Sequence, residues 1–267
     1  MTYFKYLIYG LIQGLTEFLP ISSTAHLKVL SGLLGLEDPG SSLSAILQLG
    51  SVLAILFYFR NDIFNYIKFN SKNFNKSLIE SKLINSIFIG TISILILGGF
   101  VKIFIPNFSN SILRSNLSIA VISILMAILM LIADKSRTNK ITLSSHNLLD
   151  AIKIGIGQAF AIIPGVSRSG ITISIALLLG WNKKDATKFS FLLGIPAISI
   201  AGIVEFLDSL RNGINISFGP LLVGFITTFL ISFICIDFLI SYIPLKGLKI
   251  FAYYRIFFAI VVIAGFL

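Results

Sequence analysis

Long apolar runs recur from one end of this chain to the other, and they leave few folds open. Six are clear, at 43–59, 84–105, 116–133, 187–207, 217–242 and 251–267. A helix needs about 20 apolar residues to cross a hydrocarbon core of ~30 Å, so these runs predict an all-α polytopic membrane protein. A β-barrel would show alternating segments of about ten residues, and these runs do not alternate. Composition agrees: of 267 residues 56% are hydrophobic and 12% charged. Soluble domains carry about twice that charge share. No long polar stretch remains for a soluble domain, so 1–267 is expected to be a single integral membrane domain.

Four further apolar segments are short: 3–19, 21–36, 151–163 and 168–181. They come in pairs, and each pair breaks at a proline, Pro20 or Pro164. Proline lacks the amide a helix interior requires, so each pair is expected to be a re-entrant hairpin. The hairpins resemble copies. Pro20 and Pro164, Ser23 and Ser167, and Gly50 in "LQLGSVLAI" and Gly194 in "FLLGIPAIS" are each 144 positions apart. The expected fold is an inverted-topology repeat, each unit a re-entrant helical hairpin plus three transmembrane helices. Repeat 1 spans about 1–134 and repeat 2 about 150–267. Three crossings separate the hairpins, so the second enters from the opposite face and the tips can meet near the midplane.

The net charge of +10 comes from Lys and Arg in short loops, which fits topogenic charge and lipid heads rather than a nucleic-acid partner. In this topology one side holds fourteen of them, from Arg60 and the run "NYIKFNSKNFNKSLIESK" through Lys135, Arg137, Lys183 and Lys249. The other holds five: Lys5, Lys28, Lys102, Arg114 and Arg211. The richer side is expected to be cytoplasmic. Cys235 is the single cysteine and only two histidines exist, so neither an intrachain disulfide nor a thiolate or imidazole zinc cluster can form. Lys5 precedes an apolar stretch, but Glu17 and Pro20 stand where a signal-peptide cleavage site would be.

The polar groups inside the hairpins carry the chemistry. Gln13 and Glu17 share a helical face, as do Ser23 and His26 beyond the break. Ser22 or Ser23 stands at a new helix start, where free amides favour an anion and where simple N-capping is an equal explanation. A carboxylate in a membrane segment is a functional candidate, and hydroxyl plus imidazole is the usual pairing for an activated nucleophile. The second hairpin reads "PGVSRSGIT", Pro164–Thr172. Ser167, Ser169 and Thr172 offer hydroxyls, Gly165 and Gly170 allow close backbone approach, and Arg168 offers a donor fork. A guanidinium at depth needs a counter-charge: either Glu17, as a buried ion pair, or a phosphate. Arg255 either snorkels to the interface or reaches the same anion. Gln48 either lines the cavity or bonds a neighbouring helix. Glu205 and Asp208 read as surface groups near a span end, His146 as a solvated loop residue and Trp181 as an interface anchor. Asp237 has no assigned role.

"GLTEFLPISSTAH" and "PGVSRSGIT" closely resemble the two signature motifs of the undecaprenyl-diphosphate phosphatases, the bacitracin-resistance family. "LQLGSVLAI", "FSFLLGIPA" and "YYRIF" extend the resemblance over nearly the whole chain. It implies an enzyme of the bacterial inner membrane, opening to the external face. Such enzymes remove the terminal phosphate of undecaprenyl diphosphate, giving the monophosphate carrier of cell-wall synthesis. Position by position, Glu17, Ser23, His26 and Arg168 take the catalytic places. Gln13, Ser22, Ser167, Ser169, Thr172 and Arg255 take substrate-binding places. Gln13 stands where other members often have glutamate. A magnesium or calcium ion held partly by Glu17 is implied, which suits a site of oxygen ligands. The attacking group is left open between Ser23, His26 and water, and a homodimer is one assembly left open. The rival from another class is a transporter or lipid flippase, which broken helices meeting at the midplane would also fit.

Overall fold

The computed structural model describes residues 2–67, 74–105, 111–136, 140–211 and 217–266, and they are helical almost throughout. Lys68, Lys72 and Arg137, counted above among the cytoplasmic charges, lie outside the described residues. The first half contains α1 (Thr2–Thr16), α2 (Ser23–Leu33), α3 (Gly40–Tyr58), α4 (Arg60–Ile67), α5 (Phe74–Phe104) and α6 (Asn116–Asp134). The second contains α7 (Leu148–Ala159), α8 (Arg168–Leu178), α9 (Lys183–Arg211), α10 (Phe218–Lys246) and α11 (Lys249–Phe266).

Four described helices are long and apolar enough to cross a membrane: Ile79–Phe104, Asn116–Asp134, Lys183–Arg211 and Phe218–Lys246. This is a polytopic helical membrane protein. The other two expected spans are helices α3 and α11, of 19 and 18 residues. The hairpin helices α2 and α8 have 11 residues each, about 16 Å, half a hydrocarbon core. The basic run after Arg60 was expected as a loop, but α4 and the first turns of α5 are helical. Neither contains Gly or Pro. Asp62 sits in the first turn of α4, where it meets the positive helix end, and it accepts from Lys188 of α9 at 2.8 Å.

The two halves interleave. α1 packs on α10, α7 on α5, α6 on α11, and α3 lies against both α9 and α10. Two of these crossings use the same device. A Cβ on Gly10 would run into the Gly224 carbonyl oxygen, and one on Gly155 into that of Gly90. Backbones this close require the missing side chain.

One large core cluster holds Phe18, Phe189, Phe191, Leu177, Leu239 and Trp181, and Trp181 corrects the expectation of an interface anchor. It is fully buried, with its ring 5.0 Å from Phe189 and 5.2 Å from His146. His146 likewise is buried rather than solvated. Its Nδ1 donates to the Leu143 carbonyl and its Nε2 accepts from Ser86 Oγ, both at 2.8 Å. The reason is tertiary: the linker before α7 folds back, pairing Ile141 with Trp181 and laying the imidazole on α5. Nearby, the buried Asp134 carboxylate accepts from Leu248 N at 3.1 Å and pairs with Lys183 at 2.8 Å, tying α6, α9 and the start of α11 together.

Burial holds the His146 imidazole below its ordinary 6.5, with Lys82 pushing the same way and the Leu143 bond and Asp150 opposing. The folded protein therefore keeps it neutral while the unfolded chain takes up a proton as pH falls through about 6.5, so stability drains away on the acid side. Melting in detergent is expected to drop between about pH 7.5 and about pH 5.5. His146→Gln should flatten that part of the profile.

Candidate active site

Helix α1 stops at Thr16, and a six-residue bend leads to Ser23, the first residue of α2. Helix α7 stops at Ala159, continues as a 3-10 turn over Phe160–Ile162, and bends again before α8. The residues capping α2 and α8 are Ser22, at φ 79° and ψ 101°, and Ser167, at φ 67° and ψ 111°. Among the described residues they are the only non-glycines with positive φ. That conformation is strained for an L-residue and is tolerated where the surroundings hold it.

The shared backbone state matches Ser22, not Ser23, with Ser167, an offset of 145. Gly10 with Gly155 and Gln13 with Gln158 follow the same offset. Pro20 and Pro164, and Gly50 and Gly194, keep an offset of 144. Pro20 and Pro164 lie in the irregular bends, where one residue is absorbed without disturbing either helix.

The bends touch each other. Gly165 N donates to Ser22 Oγ at 3.2 Å, and Ser169 Oγ donates to the Leu19 carbonyl at 3.3 Å. Arg255 is fully buried and locks the junction. It donates to the carbonyls of Pro20 at 3.4 Å, of Ser123 on α6 at 3.3 Å, and of Gly165. It neither snorkels nor lines the cavity described next.

A cavity of about 190 Å³ opens at this junction. Glu17, Ser22, Ser23 and Thr24 line it from the first hairpin, Ser167 and Arg168 from the second, and Gln48 from α3. Glu17 Oε2 accepts from Gln13 Nε2 and from Ser23 Oγ, both at 2.8 Å. Its Oε1 stands 3.7 Å from Arg168 Nη2. Arg168 Nη1 donates to the Ser190 carbonyl at 2.9 Å, while Nη2 and Nε are buried without a hydrogen-bond partner. The guanidinium lies over the backbone of Gly194 and 5.8 Å from the Phe18 ring centroid. The site thus offers a hydroxyl already bonded to a carboxylate, beside a cation with donors to spare.

Other expected residues stand one step back. His26 does not meet Ser23: its Nδ1 donates to the Ser22 carbonyl and its Nε2 accepts from Tyr254 Oη, both at 2.8 Å. Its ring stacks on Phe258, with centroids 4.2 Å apart. Thr172 Oγ1 donates to the Arg168 carbonyl at 2.8 Å and shares a hydrogen bond with Ser190 Oγ at 2.6 Å, so it steadies the start of α8. Ser167 Oγ accepts from Gly170 N at 3.2 Å as an ordinary N-cap. Sequence reasoning gave no role to Thr24, Ser190 or Tyr254. All three lie in quoted motifs, Thr24 in "GLTEFLPISSTAH", Ser190 in "FSFLLGIPA" and Tyr254 beside Arg255 in "YYRIF". Glu205 and Asp208 are partly exposed and face Lys102, and Asp237 is exposed and accepts from Tyr58 Oη at 3.1 Å.

The model of the family described as "Bacitracin resistance protein BacA" matches residues 6–261. The chain belongs to the BacA family. An undecaprenyl-diphosphatase of Prochlorococcus marinus strain MIT 9301 is 59% identical over 263 residues, covering 98% of this chain and 99% of its own. Another, of Trichodesmium erythraeum strain IMS101, is 41% identical over 273 residues, covering 99% of this chain and 86% of its own. In this BacA chain no group of three or more His, Cys, Asp or Glu side chains gathers among the described residues. Glu17 is the single carboxylate lining the cavity.

A Cβ at Gly194 would fall within the Arg168 guanidinium. Gly194→Ala is therefore expected to cost about 1–3 kcal/mol by overpacking. Adding Arg168→Ala should return most of that loss, because the two changes share one contact. Melting of the two single variants and the double variant in detergent checks the coupling.

Proposed function

We propose that this chain is an undecaprenyl-diphosphate phosphatase, hydrolysing the terminal phosphate of the carrier lipid to give undecaprenyl phosphate and inorganic phosphate. Family membership supports the substrate. The observation that carries the chemistry is the 2.8 Å hydrogen bond from Ser23 Oγ to Glu17, with the unpartnered Nη2 of Arg168 beside it.

Arg168, with hydroxyls of Ser22, Thr24 and Ser167 around it, receives the phosphate oxygens and offsets their charge. Glu17 takes the proton from Ser23 Oγ as the oxygen bonds to the terminal phosphorus. The bond from that phosphorus to the bridging oxygen breaks, and the lipid monophosphate leaves. Water then attacks the phosphoserine: the proton held on Glu17 returns to Ser23 Oγ as its bond to phosphorus breaks, and the proton from water leaves with the inorganic phosphate. Little covalent work falls to the protein beyond positioning and charge. His26 serves here as a positioning group: it fixes the carbonyl of the strained Ser22 and with it the start of α2. Arg255 serves both bends in the same way.

A magnesium or calcium ion fits the residues present, since such ions take few carboxylates and complete their shell with substrate phosphate and water. Glu17 and Gln48 would hold it. When bound it neutralises charge on the diphosphate.

The same reading includes an inverted repeat of two re-entrant hairpins. It is supported by the paired serines at φ 79° and 67°, the paired 11-residue helices and the paired glycine crossings. The excess of Lys and Arg on one side supports a cytoplasmic position for that side in a bacterial cell, and the reading has the cavity open to the external face.

Phosphate release from undecaprenyl diphosphate by the purified protein tests the proposal. Glu17→Gln should lower turnover by about 10²–10⁴-fold, the usual worth of a positioned base. Ser23→Ala should lose at least as much, and a rapid acid quench of the wild type should trap phosphoserine at Ser23. His26→Gln, which retains a donor for the Ser22 carbonyl, should lose less than Glu17→Gln. Near-normal turnover by Ser23→Ala would remove Ser23 as nucleophile and leave direct attack by water. No hydrolysis with or without added cation would leave lipid translocation as the reading.

A further inference from the structure

The phosphate end of the cavity is defined by Glu17, Ser23 and Arg168, but a lipid diphosphate also needs a way out for its chain. The cavity wall opposite the polar groups is apolar: Ile94 of α5, Ala161 and Ile162 of the 3-10 turn, and Ala197, Ile198 and Ala201 of α9. Gly194, Ala197, Ile198 and Ala201 recur at helical spacing on one face of α9, just past Pro196. Exposure rises along that face. Gly194 is buried under the guanidinium, Ala197 and Ile198 are 6% and 5% exposed, and Ala201 is open to the surroundings of the helix.

Helices α5 and α9 meet at two places, and residues of both helices between those places line the cavity. At one, a Cβ on Gly90 would stand 2.9 Å from Leu193 Cδ1, so the helices are in close contact. At the other, Lys102 of α5 faces Glu205 at 3.6 Å and Asp208, both on α9, while Ser42 of α3 donates to Glu205 at 3.0 Å. Twelve residues separate Gly90 from Lys102, and twelve separate Leu193 from Glu205. On both helices that is about 18 Å of rise. Ile94 and Gly98 of α5, and Ala197 and Ala201 of α9, fall inside this interval. Gly98 and Gly99 project no side chain, and a Cβ on Gly99 would find nothing within 4 Å.

We propose that the seam between α5 and α9, from the Gly90–Leu193 contact to the Lys102–Glu205 pair, is the lateral portal through which the isoprenoid chain of the substrate leaves the cavity into the bilayer. The proposal rests on the phosphatase reading. Two independent features point to this ligand. The unpartnered Nη2 and Nε of the buried Arg168 call for an anion at the deep end. The apolar lining on α9, Ala197, Ile198 and Ala201, with Ser199 outside the lining and donating to the Ile195 carbonyl, then continues to a mouth on a membrane-spanning helix. A chain bonded to a phosphate at Arg168 thus finds an apolar channel wall beginning beside its first isoprene unit. The Lys102–Glu205 pair spans the seam at its far end and marks where the apolar route stops.

The test combines a reversible plug with a chain-borne probe. In a Cys235→Ser background, Ala201→Cys puts a thiol at the mouth without disturbing the packed core. Reaction with a bulky methanethiosulfonate should lower kcat/KM for undecaprenyl diphosphate by about tenfold or more, the scale on which a blocked apolar pocket discriminates. Turnover of geranyl diphosphate should change by less than about twofold, and a reductant should restore the long-chain activity. Equal loss on both chain lengths, or no loss on the long one, would overturn the portal. Separately, a polyprenyl diphosphate carrying a diazirine on its third isoprene unit, beyond the length of geranyl diphosphate, should label residues 94–102 or 197–205. Labelling elsewhere would overturn the proposal even if the protein hydrolysed nothing. Absent hydrolysis with labelling on the seam would instead count against the phosphatase reading alone.

Discussion

Arg168 brings a full positive charge into the apolar middle of a helical bundle, and much of the surrounding architecture answers that charge. Burying a guanidinium is costly unless oxygen atoms meet it. Here Glu17 stands at 3.7 Å and the Ser190 carbonyl at 2.9 Å. The flat face rests on a glycine, because any other residue at 194 would occupy the same space. Thr172 and Ser190 hold the turn of helix from which the side chain springs. The arrangement still leaves two guanidinium nitrogens without a hydrogen bond, Nη2 having only the longer ion-pair contact to Glu17, and the proposed phosphate would complete them. A fully satisfied arginine would be a structural pin and nothing more.

The first hairpin is built to complement it. Ending α1 at Thr16 drops Glu17 out of the helix and onto the bend, where Gln13 below and Ser23 beyond can both bond one of its oxygens. The strained serines do related work. A residue with positive φ reverses the chain abruptly at the helix start, and holding Ser22 in that state takes both the imidazole on its carbonyl and the Gly165 amide on its hydroxyl. Residues that touch no substrate therefore have a direct reason to matter for turnover.

Much of this was legible in one dimension. Glu17 and Arg168 stand out because ionisable groups in apolar runs need a reason, and the two helix breaks could be placed from Pro20 and Pro164. The backbone state of Ser22 and Ser167 was not legible, since serine carries no hint of left-handed geometry in the way glycine does. That hidden feature is why sequence matched Ser167 with Ser23, whereas the shared backbone state matches it with Ser22. The partner of His26 lies 228 residues away on α11, so spacing pointed instead to the nearby Ser23. Trp181 and His146 were misjudged for a similar reason. Their burial comes from a linker folding back onto α5, which no local pattern encodes.

Arg255 has a consequence for how such a molecule can move. One guanidinium grips the carbonyls of Pro20 and Gly165, one from each hairpin, and a third on α6. Sliding one hairpin past the other would strip a buried cation of its oxygens with no water to replace them. The two bends are thereby coupled into a single rigid keystone, and rocking of one half against the other carries an electrostatic penalty at its pivot. One buried side chain thus fixes the two bends that carry Glu17, Ser23 and Arg168 relative to each other, and holding reacting groups still is what catalysis by positioning requires.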